Sequence, residues 1–168
     1  MLVVRREGMD TAFRHLHMPS ELACEFLAVF ARMEYALKAT RFGMGNRAGV
    51  SASWDKFANE ADEHFHAEAS KDQREAVDYL WKTPPRKQVL AEDRRVRFRD
   101  FEIDPTQRKL QQLLLMVRTV RNNLFHGGKH LPDGETEPGR NEALVRSSLV
   151  VLRECAQLLA DVQESFER

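Results

Sequence analysis

From Ser20 to about Thr40 the apolar residues return at intervals of three and four: Leu22, Phe26, Val29, Phe30, Met33 and Leu37. Such spacing predicts a helix with one buried stripe, and Ser20 is a good N-cap for it. Gly43, Gly45 and Gly49 then break the pattern. Ser51 or Ser53 can cap a second helix, Trp54 to about Phe65, and a third runs from about Lys71 to Trp81, ended by Pro84-Pro85. Residues 86–104 are the least helical part. There Arg95-Val96-Arg97-Phe98-Arg99 alternates polar and apolar residues, which suits an extended segment or a small hairpin. A long helix follows, with Asp104 as N-cap and Pro105 at its first position, running to about Phe125. After a polar loop over 127–139, a last helix from about Asn141 to Phe166 carries Leu144, Ser148, Val151, Leu152, Cys155, Leu158, Leu159, Val162 and Phe166 on one face. The expected fold is all-α: one domain over 1–168, a bundle of about five helices, with residues 1–19 as an N-terminal arm.

Composition narrows the classes of function. A chain of 168 residues, 42% hydrophobic, can bury a core without disulfides or metals. Lys plus Arg (26) equals Asp plus Glu (26), so there is no global attraction to nucleic acid, and any such binding needs a local basic patch. Cys24 and Cys155 sit inside apolar helical patterns and are expected to be buried, reduced thiols. The first residues carry Arg5, Arg6, Glu7, Asp10 and Arg14, unlike a signal peptide, and no segment approaches the roughly 20 apolar residues that span a bilayer. A cytoplasmic protein with no membrane partner is the expectation.

Chemistry concentrates in Arg121-Asn122-Asn123-Leu124-Phe125-His126. At about 100° per residue, Leu110, Leu113, Leu114, Val117, Val120 and Leu124 share the core side of their helix, and Arg121 is expected near the middle of that stripe. A guanidinium keeps its proton, so it needs a carboxylate, an opening to solvent or an anionic ligand. Glu34, between Phe30 and Leu37, is the candidate carboxylate, which would make Arg121 purely structural. His126 projects about 140° from Arg121 on an ideal helix. To act together, either the helix unwinds before Gly127-Gly128 or a second copy supplies one of the two residues across a twofold axis. Leu115, Arg118, Thr119 and Asn122 share the His126 side and suit such an interface. An imidazole that exchanges a proton near neutral pH, a permanent cation, two asparagines and nearby Lys129 suit RNA cleavage without metal or cofactor.

The string Val117-Arg118-Thr119-Val120-Arg121-Asn122-Asn123-Leu124-Phe125-His126-Gly127-Gly128-Lys129 resembles the HEPN domain (higher eukaryotes and prokaryotes nucleotide-binding), in its Apea-like and related prokaryotic groups. Ala31-Arg32-Met33-Glu34-Tyr35-Ala36-Leu37-Lys38 and Pro84-Pro85-Arg86-Lys87-Gln88 are similar to segments of such proteins, so the resemblance runs from about Ser20 to the end. It implies a helical homodimer whose two Arg–His motifs meet in a shared cleft. It also implies a metal-independent endoribonuclease of a toxin–antitoxin or defence system, partnered by RNA and by an antitoxin or regulatory protein. The alternative it carries is a non-catalytic nucleotide-binding or dimerisation module. Carried over, Arg121 and His126 would be the catalytic pair and Asn122 the polar residue after the arginine, while Asn123, Lys129 and Glu34 are supporting candidates on the residues' own chemistry.

Other features are blander. His15-x-His17 and His64-x-His66 do not share a helical face and read as surface histidines; Asp62 and His66 do share one, but two ligands make no zinc site. Arg94, Arg95, Arg97 and Arg99 with Phe98 and Phe101 could track RNA, but the flanking Glu92, Asp93, Asp100, Glu102 and Asp104 favour a solvated loop. Trp54 and Trp81 read as core.

Overall fold

The predicted stripe of the first helix is present in the computed structural model, which describes residues 16–125 and 137–168. Helix α1 (Ser20–Lys38) buries Leu22, Ala23, Phe26, Phe30, Met33, Ala36 and Leu37; Val29 alone of the expected set is only half-buried. Its N-cap is Pro19 rather than Ser20, whose hydroxyl donates instead to the Glu21 carboxylate. Among the described residues five more helices follow: α2 (Trp54–Ala61), α3 (Lys71–Lys82), α4 (Lys109–Phe125), α5 (Arg140–Cys155) and α6 (Ala160–Glu167). The fold is therefore mainly helical, but not all-α. Two antiparallel hairpins interrupt it, β1 (Gly43–Asn46) with β2 (Gly49–Ala52), and β3 (Lys87–Leu90) with β4 (Val96–Arg99).

The hairpins come from turn chemistry. In the first, Gly45 holds φ 140°, and a Cβ there would lie 2.0 Å from the Gly49 carbonyl oxygen, so no other residue fits. The second pairs Lys87 with Arg99 and Leu90 with Val96, as the alternation of 95–99 allowed. In its turn the Asp93 carboxylate accepts the Arg95 N–H (3.1 Å) and pairs with Arg97 (2.8 Å). The hydrogen bond from Arg97 and the Arg95 amide hold the Asp93 carboxyl below the usual range.

Helix ends depart from the expected boundaries for tertiary reasons. Asp104 caps no helix: it accepts from the Thr106 amide (2.9 Å) and hydroxyl (2.6 Å) in a local turn, and α4 starts at Lys109. The first turn of α4 is served from elsewhere in the chain. The Leu110 N–H donates to Asp62 (3.1 Å), a residue of the 3₁₀ turn Asp62–His64 that ends the second helix earlier than the expected Phe65. The expected last helix, 141–166, is two. It breaks after Cys155, Leu159 is extended, and Leu159 and Val162 are both buried. Arg32 of α1 donates to the Phe166 (2.6 Å) and Ser165 (3.4 Å) carbonyls, satisfying the end of α6.

The core joins Phe26, Met33, Leu37, Phe42, Phe57, Leu80, Leu110, Leu113, Leu114, Met116 and Leu152, all without solvent contact or nearly so. Trp54 belongs to it and stacks on Phe30 (5.2 Å between ring centres), whereas Trp81 is only half-buried. Cys155 is buried, and burial pushes its thiol far above the ordinary range; Cys24, expected inside, is exposed on α1. Among the described residues no helix is long and apolar enough to cross a membrane.

Two outcomes follow. Asp62→Ala should lower the unfolding free energy by about 1–2 kcal/mol in a urea titration, whereas Asp62→Asn, which keeps an accepting oxygen, should lose less. In native protein a chromogenic disulfide reagent should label Cys24 quickly and reach Cys155 only after denaturant is added.

Candidate functional site

Helix α4 delivers the residues of the Arg121 segment to different sides. Val117 and Val120 are buried and Leu124 half-buried, so the stripe points inward as expected. Arg121 sits at the edge of that stripe, half-buried rather than in its middle. Its guanidinium carbon lies 5.2 Å from the Phe30 ring centre and 5.6 Å from that of Phe125. Nη1 donates to the Asn122 side-chain oxygen (3.0 Å), while the buried Nε has no hydrogen-bond partner among the described residues.

The expected Arg121–Glu34 ion pair does not form. Glu34 instead takes Lys38, one turn along α1, at 2.5 Å. No carboxylate among the described residues pairs with Arg121, and of the three ways to accommodate its charge the structure realises an opening to solvent. Arg121 lines an open groove of roughly 230 Å³ together with Leu27, Phe30, Ala31, Glu34, Tyr35 and Lys38. Glu34 is therefore a neighbour in the groove, not the counterion.

Asn122 is exposed and belongs to the Arg121 cluster through its hydrogen bond. Asn123 does not. It is buried on the opposite side of α4, where its amide nitrogen donates to the Arg86 carbonyl (2.8 Å) and its oxygen accepts from Gln88 (3.4 Å). Its visible work is to fasten β3 to α4. On the side expected to form an interface, Thr119 is buried and its hydroxyl returns to the Leu115 carbonyl (2.8 Å), while Arg118 is half-buried with its guanidinium 6.0 Å from the Trp54 ring. His126 and Lys129 lie outside the described residues, as does His15.

The groove residues that sequence reasoning passed over come from α1. Cys24, Leu27, Ala28, Ala31 and Tyr35 form an exposed second stripe of apolar and small residues beside the buried one, and Leu27 and Tyr35 are 41% and 58% exposed. The signal was there: large apolar side chains at Leu27 and Tyr35 in positions the core stripe does not use. The remaining histidine readings stand as surface residues, since His17, His64 and His66 are exposed. Among the described residues no cluster of three or more His, Cys, Asp or Glu could hold a metal ion. Of the two aromatic residues expected beside the 94–99 arginines, Phe98 is exposed, but Phe101 is buried under the Lys87 ammonium (4.9 Å) and cannot stack on a base.

The chain matches no family model, no curated protein and no solved structure.

The Asn123 hydrogen bonds generate a prediction. Asn123→Ala should cost about 1–3 kcal/mol of stability by leaving the Arg86 carbonyl unpaired, and should speed amide exchange across β3 and β4. Asn122→Ala, at an exposed position, should change stability by less than about 0.5 kcal/mol.

Proposed function

We propose that the protein is a metal-independent endoribonuclease of the HEPN kind, acting as a homodimer with Arg121 and His126 as its working pair. The observation that carries this reading is Arg121: a guanidinium without a carboxylate partner among the described residues, lining an open groove five positions before a histidine. A cation in that state is a binding site for an anion, and a planar guanidinium fits two phosphate oxygens at once. In the proposed reaction the 2′-oxygen of a ribose attacks the adjoining phosphorus and the bond to the 5′-oxygen breaks. His126 takes the 2′-hydroxyl proton or supplies one to the departing oxygen, and Arg121 stabilises the charge that builds on the phosphoryl oxygens. A toxin or defence role, with an antitoxin or regulatory partner, belongs to the same proposal.

A second reading is favoured by one observation. Glu34, the carboxylate of the groove, is occupied by Lys38, so the described residues offer no free general base there. On that reading the groove binds nucleotide phosphate without cleaving it.

One experiment separates the two. Purified protein should cleave mixed RNA in the presence of EDTA. His126→Ala should slow this by about 10²–10⁴-fold, and Arg121→Ala by about 10²–10³-fold, with Arg121→Lys restoring little. Folded, dimeric protein that cleaves no RNA, yet loses nucleotide affinity in Arg121→Ala, would discard the enzyme and leave the binding module.

A further inference from the structure

Strand β4 presents a free edge. Among the described residues it pairs only with β3, and all four of its own residues are exposed. The Ala91 N–H donates to the Arg95 carbonyl (2.9 Å), so Ala91 and Arg95 are a hydrogen-bonded pair of the ladder. Antiparallel pairs alternate, which turns the amides and carbonyls of Val96 and Phe98 outward, away from β3. No other backbone group among the described residues reaches them.

The side chains along this edge divide by face. Leu90, Val96 and Phe98 lie on one face and remain 64%, 48% and 36% exposed. Arg97 and Arg99 lie on the other, with Arg95 just before them. Arg97 is paired with Asp93, the carboxylate nearest Arg99 is that of Glu102 at 3.9 Å, and Arg95 has no ion pair among the described residues. The base of the hairpin is held firmly: Asn123 bonds the Arg86 carbonyl and Gln88, and Arg86 reaches Asp100 at 3.2 Å.

We propose that the outer edge of β4 is a strand-addition site for an extended peptide in which acidic and apolar residues alternate. The ladder groups of Val96 and Phe98 supply main-chain hydrogen bonds. Acidic side chains of the added strand face Arg95, Arg97 and Arg99, and its apolar side chains cover Val96 and Phe98. Charge selects this occupant over a second copy, because two β4 edges set antiparallel would place arginine across from arginine. A polynucleotide would meet the arginines but leave the outward amides and carbonyls without partners. The site is separate from the groove. Asn123, which anchors the hairpin, projects about 200° around α4 from Arg121.

The test uses two synthetic peptides with capped ends, one alternating glutamate and valine, the other lysine and valine, each titrated into ¹⁵N-labelled full-length protein. The glutamate peptide should bind at least about fivefold more tightly and slow exchange of the Val96 and Phe98 amides. In Arg97→Glu/Arg99→Glu the preference should reverse toward the lysine peptide. The wild-type comparison does not depend on either variant folding. Equal affinity for the two peptides would overturn the proposal. So would protection elsewhere than Val96 and Phe98, self-association through β4 in sedimentation, or an RNA oligonucleotide perturbing these residues where the glutamate peptide does not.

Discussion

The structure depends on covering one side of α1. Phe26, Met33, Ala36 and Leu37 lose all solvent contact there, and Phe30 nearly all. Each large side chain of this kind contributes about 1.5–3 kcal/mol relative to exposure. Helices α5 and α6 pack on this side, and α4 touches it where Phe30 meets Arg121. On the flank of α1 the Arg32 guanidinium reaches the last carbonyls of α6. The stretch 155–160 contains no glycine or proline, so local propensity does not account for the bend, while the burial of Cys155, Ala156, Leu159 and Val162 favours packing as its cause.

The same anchoring creates the groove. Only one side of α1 is needed for the core, so Leu27, Ala31 and Tyr35 stay at the surface beside Arg121. Competition for Glu34 decides the electrostatics. Lys38 is one turn away on the same helix and needs little ordering to reach it, whereas Arg121 is held over the rings of Phe30 and Phe125. Cation–ring attraction is worth about 0.5–2 kcal/mol and does not neutralise the guanidinium. The outcome is a positive charge with a desolvated Nε that has no hydrogen-bond partner among the described residues, at the rim of an open groove.

Around this frame the irregular segments are tied down by side chains distant in sequence. Asp62 caps α4 across 48 positions, and Asn123 holds the carbonyl of Arg86 across 37. These links explain why α4 starts at Lys109 instead of Pro105: the local Asp104–Thr106 turn and the Asp62 carboxylate together satisfy the groups a longer helix would have used. Among the described residues the hydrogen bonds from α4 that hold the second hairpin reach its base and β3, and the outer strand β4 is exposed.

Local chemistry determined a good part of this protein. The spacing of Leu22, Phe26, Phe30, Met33 and Leu37 made α1 and its buried side, Pro84-Pro85 ended α3, the alternation of 95–99 allowed a strand, and the stripe of α4 turned Val117 and Val120 inward. The first hairpin was hidden in glycines that read as mere interruption, because a tight turn needs backbone freedom and leaves no apolar pattern. Tertiary structure alone decided the rest: that Glu34 belongs to Lys38, that Asn123 serves the hairpin and not the groove, that Cys24 is outside, and that the last helix is two. Each of these depends on which surfaces meet and which groups lose water, and such pairings are settled in space between residues that periodicity along one helix cannot compare.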